Sequence, residues 1–273
     1  MDLFFCQFYS EFKKIFHNSA KNCGQLDSNN DLKPWKMLGD ELIFCVKLME
    51  QSDILSYLQC FIDSREKFKK EIIDKSFLGN GLDLQSTAWI AGFPVGNLSL
   101  RKGNDSNPFD YIGPAMDTGF RLSKLSSPER TPISIDLAYA ICCGKSFEFK
   151  IYYLGKETLK GVLQNKPYPV FYIDHRKSPQ LEDNLLKKES LSRDRVEGFA
   201  KEFILQNNSS LFLPFIYTDS LKMGELPTDY IEQLGQANTG SEGLESVTSS
   251  SENDGGHDIS GEEKTEMIPK HGQ

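Results

Sequence analysis

The sequence predicts an α+β fold, with antiparallel strands forming a sheet and helices packed on one side of it. Two observations predict it. Segments with apolar residues at helical spacing alternate with paired short apolar runs, in the order α-ββ-α-ββ-α-β. The paired runs are joined by turn residues such as Gly39-Asp40, as hairpins are.

The elements follow in order. In residues 5–20, FCQFYSEFKKIFHNSA, Phe8, Phe12 and Phe16 recur every fourth position, which puts them on one face of an amphipathic helix. The polar stretch DSNNDLKP is a loop. KPWKMLGDELIFCVKL, residues 33–48, alternates apolar and polar residues, turns at Gly39-Asp40 and continues as Leu42–Val46, so it reads as a hairpin. Residues 52–72 read as a helix starting at Ser52, and 84–98 as a strand entering a second hairpin. Residues 113–126 form a helix, 132–135 a strand and 136–143 a short helix. A last hairpin runs from FEFKIYYLG to YPVFYI over 147–173. The chain shows no internal repeat.

Composition excludes several classes. The 273 residues are 38% hydrophobic and 26% charged, as in a water-soluble globular chain. A net charge of −8 argues against nucleic-acid binding. No run of 18 apolar residues is present, so no membrane span is expected. Met1–Cys6 lacks the basic region and long apolar core of a signal peptide. The six Cys (6, 23, 45, 60, 142 and 143) form no CxxC pair and sit mostly in apolar runs. They read as reduced core thiols in a cytoplasmic protein. The four His have no metal-site spacing. From Gln236 to Gln273 there are eight acids and two bases, so this stretch carries −6 of the total. It is rich in Ser, Gly, Glu and Asn and has no aromatic residue, and it is expected to stay disordered.

Five stretches resemble, in order, the catalytic domain of class III nucleotidyl cyclases. KMLGDELIF is similar to that family's hairpin, in which Lys-x-x-Gly-Asp presents a metal-binding Asp. STAWIAGFPVG stands where the family has a central strand. DYIGPAMDTGFRLSKL matches the internal spacing of its Asp-x-x-Gly…Asn-x-x-x-Arg helix. SSPERTPISIDLAYAI follows as the family's Pro-turn, strand and short helix, and ETLKGVLQNKPYPVFYI as its closing Leu-Lys-Gly hairpin. The resemblance implies a ferredoxin-like antiparallel sheet, a cyclase-like domain over 1–175, a C-terminal extension over 176–234 and the acidic tail over 235–273.

It also implies roles. Asp40 is the metal ligand of a site for two Mg²⁺ or Mn²⁺ ions. Such ions lower the pKa of a ribose hydroxyl and neutralise a triphosphate, and they need carboxylates fixed at the mouth of the site. Lys36, a donor, and Asp110, an acceptor, occupy the base-reading positions. Arg121 matches the arginine that stabilises the transition state, and its fork suits a pentavalent phosphorus. Lys160 matches the triphosphate-binding lysine.

The sequence departs from the family twice. Asp117 stands where Asn is usual, and it must hydrogen-bond a hydroxyl, bind a metal or hold Arg121. GPAMDTGFR is similar to a bacterial subgroup of pyrimidine cyclases, the Pycsar phage-defence type. The family's first strand, which ends in Asp-Ile/Leu-x-Gly-Phe and supplies a second metal carboxylate, is missing before the first helix. A misplaced start codon or a truncated product is expected rather than a strandless variant.

Two function classes remain. One is a homodimeric enzyme making a 3′,5′-cyclic nucleotide from a nucleoside triphosphate, with CTP, then UTP, as leading substrate and ATP as an ordinary alternative. The other is an inactive cyclase-like module for nucleotide binding or dimerisation. The tail is expected to be dispensable for either. A truncation at Gly235 should keep full nucleotide turnover in a direct product assay, and a folded truncation without turnover would overturn this.

Overall fold

The structure is a computed structural model. It describes residues 8–23, 34–75, 82–101, 109–144, 149–176, 189–217 and 222–223, with single residues 230, 232 and 235. One compact unit spans Met1–Tyr230. Of the second, Ile231–Gln273, only Glu232 and Gly235 are described. The disorder expected of the tail therefore lies outside the described residues, as do Asp2 and the rest of residues 1–7, which precede the first helix.

The chain is α+β with antiparallel strand pairing, as the alternation of patterns predicts. Phe8–Phe12 forms a π turn that leads into helix α1, Lys13–Asn22. Phe8, Phe12 and Phe16 are all buried, so the four-residue spacing identified the correct face. Their rings meet Phe44, Phe61 and Phe68; Phe16 and Phe44 lie edge to face at 5.1 Å, and Phe12 and Phe68 at 5.6 Å. These tilted contacts set the edge of one ring against the face of the next.

Strands β1, Pro34–Leu38, and β2, Glu41–Phe44, make the first hairpin. Helix α2, Gln51–Phe68, starts one residue before the expected Ser52. The reason is local: Glu50 and Asp53 form a capping box, with Asp53 accepting from the Glu50 backbone N–H at 3.0 Å. The strand expected over 84–98 is mostly absent. Ala88 makes a single parallel bridge to Ile133. Pro94 then offers no N–H, and Gly96 turns with φ +79°, so the ladder stops. Pairing resumes in β3, Leu98–Arg101, with β4, Phe109–Ile112.

Helix α3 covers Pro114–Leu122 and ends in a 3₁₀ turn at Ser123–Leu125. Strand β5, Arg130–Ile133, precedes helix α4, Ile135–Cys142. Strands β6, Ile151–Thr158, and β7, Pro167–Asp174, complete a three-stranded sheet in the order β5-β7-β6. β7 is central, and Tyr168 to Ile173 are all buried. Helix α4 is almost wholly apolar and buried. Helix α5, Arg193–Gln206, packs on α4 through Val196, Ala200 and Ile204, again a four-residue stripe. The short strands β8, Ile216–Tyr217, and β9, Lys222–Met223, pair beyond it. Among the described residues, ladder bonds fall into three two-stranded pairs and one three-stranded sheet, and the Ala88 bridge joins the 84–92 segment to the three-stranded sheet at Ile133.

A polar chain runs beside β5. Ser86 Oγ and Thr131 Oγ1 lie 2.5 Å apart, and Thr131 Oγ1 lies 2.5 Å from His175 Nε2. Arg65, 2% exposed, donates from Nη2 to the carbonyls of Leu84 and Pro128 and so ties the 84–92 segment to the turn before β5. Burial, then the Arg65 charge, pushes the His175 imidazole down from 6.5 to about 4. A folded pKa below the unfolded one means that this contribution is complete above pH 6.5 and is lost as pH falls toward 4. Thermal melts between pH 7 and 4 of the native chain and of His175→Gln should converge on acidification, with the difference changing by about 3 kcal/mol. Parallel curves would refute the linkage.

Candidate functional site

Five aromatic rings from four segments of the chain form a small cluster beside the first two hairpins. Trp35 on β1 is 7% exposed and lies 5.2 Å from the Tyr111 ring on β4. Phe93 also meets Tyr111, at 5.1 Å. Trp89 meets Phe120 of α3 at 5.8 Å, and Trp35 reaches the same ring at 6.4 Å. Ile43 and Met116 are buried with them.

Lys36 follows Trp35, and its Nζ folds back over the indole at 4.4 Å. The same Nζ lies 2.8 Å from Asp110 Oδ1. Asp110 is on β4, and its Oδ1 also accepts from the Tyr111 backbone N–H at 3.0 Å. The two side chains are 28% and 22% exposed, so the pair is neither a free surface contact nor a dry interior one. A pair of this kind is worth about 1 kcal/mol, and the cation–π contact adds about 0.5–1 kcal/mol. The structure therefore brings together the two residues that the resemblance assigned to base reading.

Helix α3 carries the next two. Asp117 is in its first turn and Arg121 in its last, where acid and base each oppose the helix dipole. Asp117 is exposed and Arg121 half-buried. No ion pair joins them among the described residues, so of the three roles open to Asp117 that of holding Arg121 is not seen. The helix begins at Gly113 with φ 140°, where a Cβ would lie 2.5 Å from Asn97 Oδ1. Asn97 is itself buried, and its Oδ1 accepts from the Ala115 N–H at 3.1 Å. This remote cap was missed in the sequence, because nothing local to α3 signals it. Farther along the helix, Gly119 lies against Trp89, and a Cβ there would come within 2.2 Å of the indole.

Asp40 stands at the tip of the β1–β2 hairpin and is exposed. The loop has two residues, with Gly39 first at φ +60°, the type II′ pattern. Tyr9 donates its hydroxyl proton to the Gly39 carbonyl and tethers the tip to the N-terminal π turn. Sequence reasoning did not find Tyr9, since its partner is 30 residues away. Lys160 is exposed in the turn after β6, and no described contact joins it to Lys36, Asp110 or Arg121.

A two-ion centre does not fit the described residues by themselves. Asp40 is a single carboxylate, and no group of three or more His, Cys, Asp or Glu among the described residues could hold a metal ion. A shallow concavity on α5, lined by Gly198, Lys201, Glu202, Leu205 and Gln206, contains none of the candidate residues. No described helix is long and apolar enough to cross a membrane.

No protein-family model matches the sequence. No curated protein matches it either. Among solved structures, the chain is similar to the adenylyl cyclase CyaB from P. aeruginosa, with 15% identity and a TM-score of 0.41 over 64% of this chain and 85% of that one. It is similar to the guanylyl cyclase Cya2, with 14% identity and a TM-score of 0.41 over 70% and 87%. A third is the guanylate cyclase domain of RhGC from Catenaria anguillulae in complex with GTP, with 16% identity and a TM-score of 0.38 over 61% and 81%. Likeness of this degree assigns no activity, and what the chain does has to follow from its own residues.

Two helical glycines test the packing around Trp89. Gly119→Ala should lower stability by about 1–3 kcal/mol through overpacking and shift the tryptophan emission. Gly198→Ala on α5, where a Cβ meets nothing within 4 Å, should instead raise stability by up to about 1 kcal/mol. Equal effects in chemical denaturation would show that α3 does not rest on the indole as described.

Proposed function

We propose that the chain is a nucleotidyl cyclase that converts a nucleoside triphosphate into a 3′,5′-cyclic nucleotide and pyrophosphate. The leading substrate is CTP, then UTP, and the product serves as a messenger in an anti-phage system. One observation supports this most: Lys36 and Asp110, far apart in sequence, meet at 2.8 Å beside aromatic rings and next to the helix that bears Asp117 and Arg121.

The two side chains satisfy each other in the absence of a base. A base entering between them must present an acceptor to Lys36 and a donor to Asp110. Cytosine does so with N3 and N4, and adenine with N1 and N6. In the same register guanine and uracil set a carbonyl against the carboxylate, which costs about 1–3 kcal/mol per unpaired buried group. Trp35 and Tyr111 are packed together beside the pair and wall that side of it. Arg121 would stabilise charge on the transferring phosphorus, and Lys160 would hold the outer phosphates. The cyclic-pyrimidine preference and the defence role rest on the likeness of GPAMDTGFR to the Pycsar-type subgroup.

The proposal includes a head-to-tail homodimer in which Asp40 of one subunit meets Asp110 and Arg121 of the other, while Lys36 serves the site opposite its neighbour Asp40. Exposed apolar residues support a partner there. Met37 and Leu38 are 61% and 46% exposed beside Lys36. Leu98, Leu100 and Ile112 are exposed, and their pairing puts them on the same face of the β3–β4 hairpin as Asp110. A second reading, a nucleotide-binding or dimerisation module without turnover, is favoured by the single carboxylate at Asp40 among the described residues.

A competition among the four nucleoside triphosphates with Mn²⁺, products identified by mass, tests the substrate. Cyclic CMP should dominate. Cyclic UMP or GMP would show that Lys36 and Asp110 do not read the base in this register, and binding without product would establish the second reading. Mixing inactive Asp40→Ala with inactive Arg121→Ala protein should restore about a quarter of the native rate, because half of the randomly assorted dimers hold one intact site. No recovery from exchanged subunits would refute the shared site.

A further inference from the structure

The segment after α5, residues 211–215, lies outside the stretches that resemble a cyclase, yet it touches the loop that sets the geometry of the candidate site. A Cβ at Gly96 would lie 3.3 Å from Phe212 Cε2 and 3.7 Å from its Cδ2, so the Phe212 ring lies directly on that glycine. Gly96 has φ +79°, a conformation that favours glycine, and it turns the chain into Asn97.

Asn97 makes two bonds in opposite directions. Its Nδ2 donates to the Gly92 carbonyl at 2.9 Å, and its Oδ1 accepts from the Ala115 N–H at 3.1 Å. The residue after it begins β3, which pairs with the strand carrying Asp110. One buried amide thus sets the N-terminus of α3, and with it Asp117 and Arg121, relative to the hairpin of Asp110. Leu211 and Leu213, on either side of Phe212 in the chain, pack against the main core and anchor this segment to it.

We infer that Phe212 is a positioning residue, through which the C-terminal extension braces the candidate site by way of Gly96 and Asn97. Its meaning for nucleotide chemistry rests on the proposed function, whereas the brace itself can be tested without nucleotide. Trp35 and Trp89 are the only two tryptophans of the chain, and both belong to the site's aromatic cluster, so intrinsic emission reports the geometry there. Among the described residues no ring pair joins Phe212 to either tryptophan, and the cycle with Asn97 tests whether a change in their emission travels through the intervening loop.

The experiment uses the full chain and a double-mutant cycle of Phe212→Ala with Asn97→Ala, and Leu205→Ala as a control at a 52% exposed position on α5. Circular dichroism checks folding, acrylamide quenching and the emission maximum report the site, and Mn²⁺–CTP titration reports binding. Phe212→Ala should change the tryptophan signal and weaken nucleotide binding by about tenfold. Leu205→Ala should change neither. Phe212→Ala should add little in the Asn97→Ala background, because both act on one linkage. If Phe212→Ala does not fold, Phe212→Leu takes its place in the cycle, with a smaller change of the same sign expected. Native-like emission in the folded Phe212 variant, an equal change in Leu205→Ala, or additive effects with Asn97→Ala would each overturn the brace. A native chain that binds no nucleotide, with the coupled emission changes still present, would sink the cyclase reading and leave the brace standing.

Discussion

The candidate site depends on how closely helix α3 can approach the 84–92 segment. That approach is limited by one indole. Trp89 lies against Gly119, where any side chain would collide with its ring. Because the helix backbone itself meets the indole, Phe120 can reach both Trp89 and Trp35, and Met116 is buried with Ile43. The β1–β2 hairpin, the β3–β4 hairpin and α3 thereby share one small core. Interiors are packed at crystal-like density, so a position fixed by such a contact leaves little room to drift. The N-terminus of α3 is held by the remote amide of Asn97, which satisfies one of the backbone N–H groups that a helix start leaves open.

Around this core the charges are arranged at modest cost. Lys36 and Asp110 neutralise each other at a half-exposed edge, where the ammonium also finds the face of Trp35. The pair adds little to stability, because its Coulomb gain is screened and two flexible chains are held in place. Little stability is therefore lost when a ligand separates it, which suits a pair proposed to open around a base. Arg65 is the opposite case. Buried at 2% exposure and bonded to two loop carbonyls, it holds the backbone on which Trp89 and β5 depend, and its Nε is buried with no partner among the described residues. Such a residue belongs to the frame of the fold rather than to chemistry at the site.

Much of the fold was legible because periodicity is a local property. Phe8, Phe12 and Phe16 share a face since a helix repeats every 3.6 residues, whatever lies opposite. The Gly39-Asp40 turn, the α3 helix with its Pro at the first position and the β6–β7 hairpin announce themselves in the same way. The stretch 84–98 misled for a related reason. Its short apolar run, Ala88–Ala91, is one that a strand can have, but a strand also needs a continuous partner, and Pro94 and Gly96 deny it one after Ala88.

The sequence by itself determined most of the element types, the apolar faces and the chemical kinds available at the site: amines at Lys36 and Lys160, carboxylates at Asp40, Asp110 and Asp117, a guanidinium at Arg121. Spacing along a chain constrains only neighbours within a turn or a hairpin. Tertiary structure alone decided that Lys36 meets Asp110, that Tyr9 holds Gly39, that Asn97 caps a helix beginning at Pro114 and that Phe212 rests on Gly96. Each of these joins segments whose separation in sequence carries no periodic signal. Their distances follow from how whole elements pack, and that packing is a property of the assembled chain rather than of any window of residues.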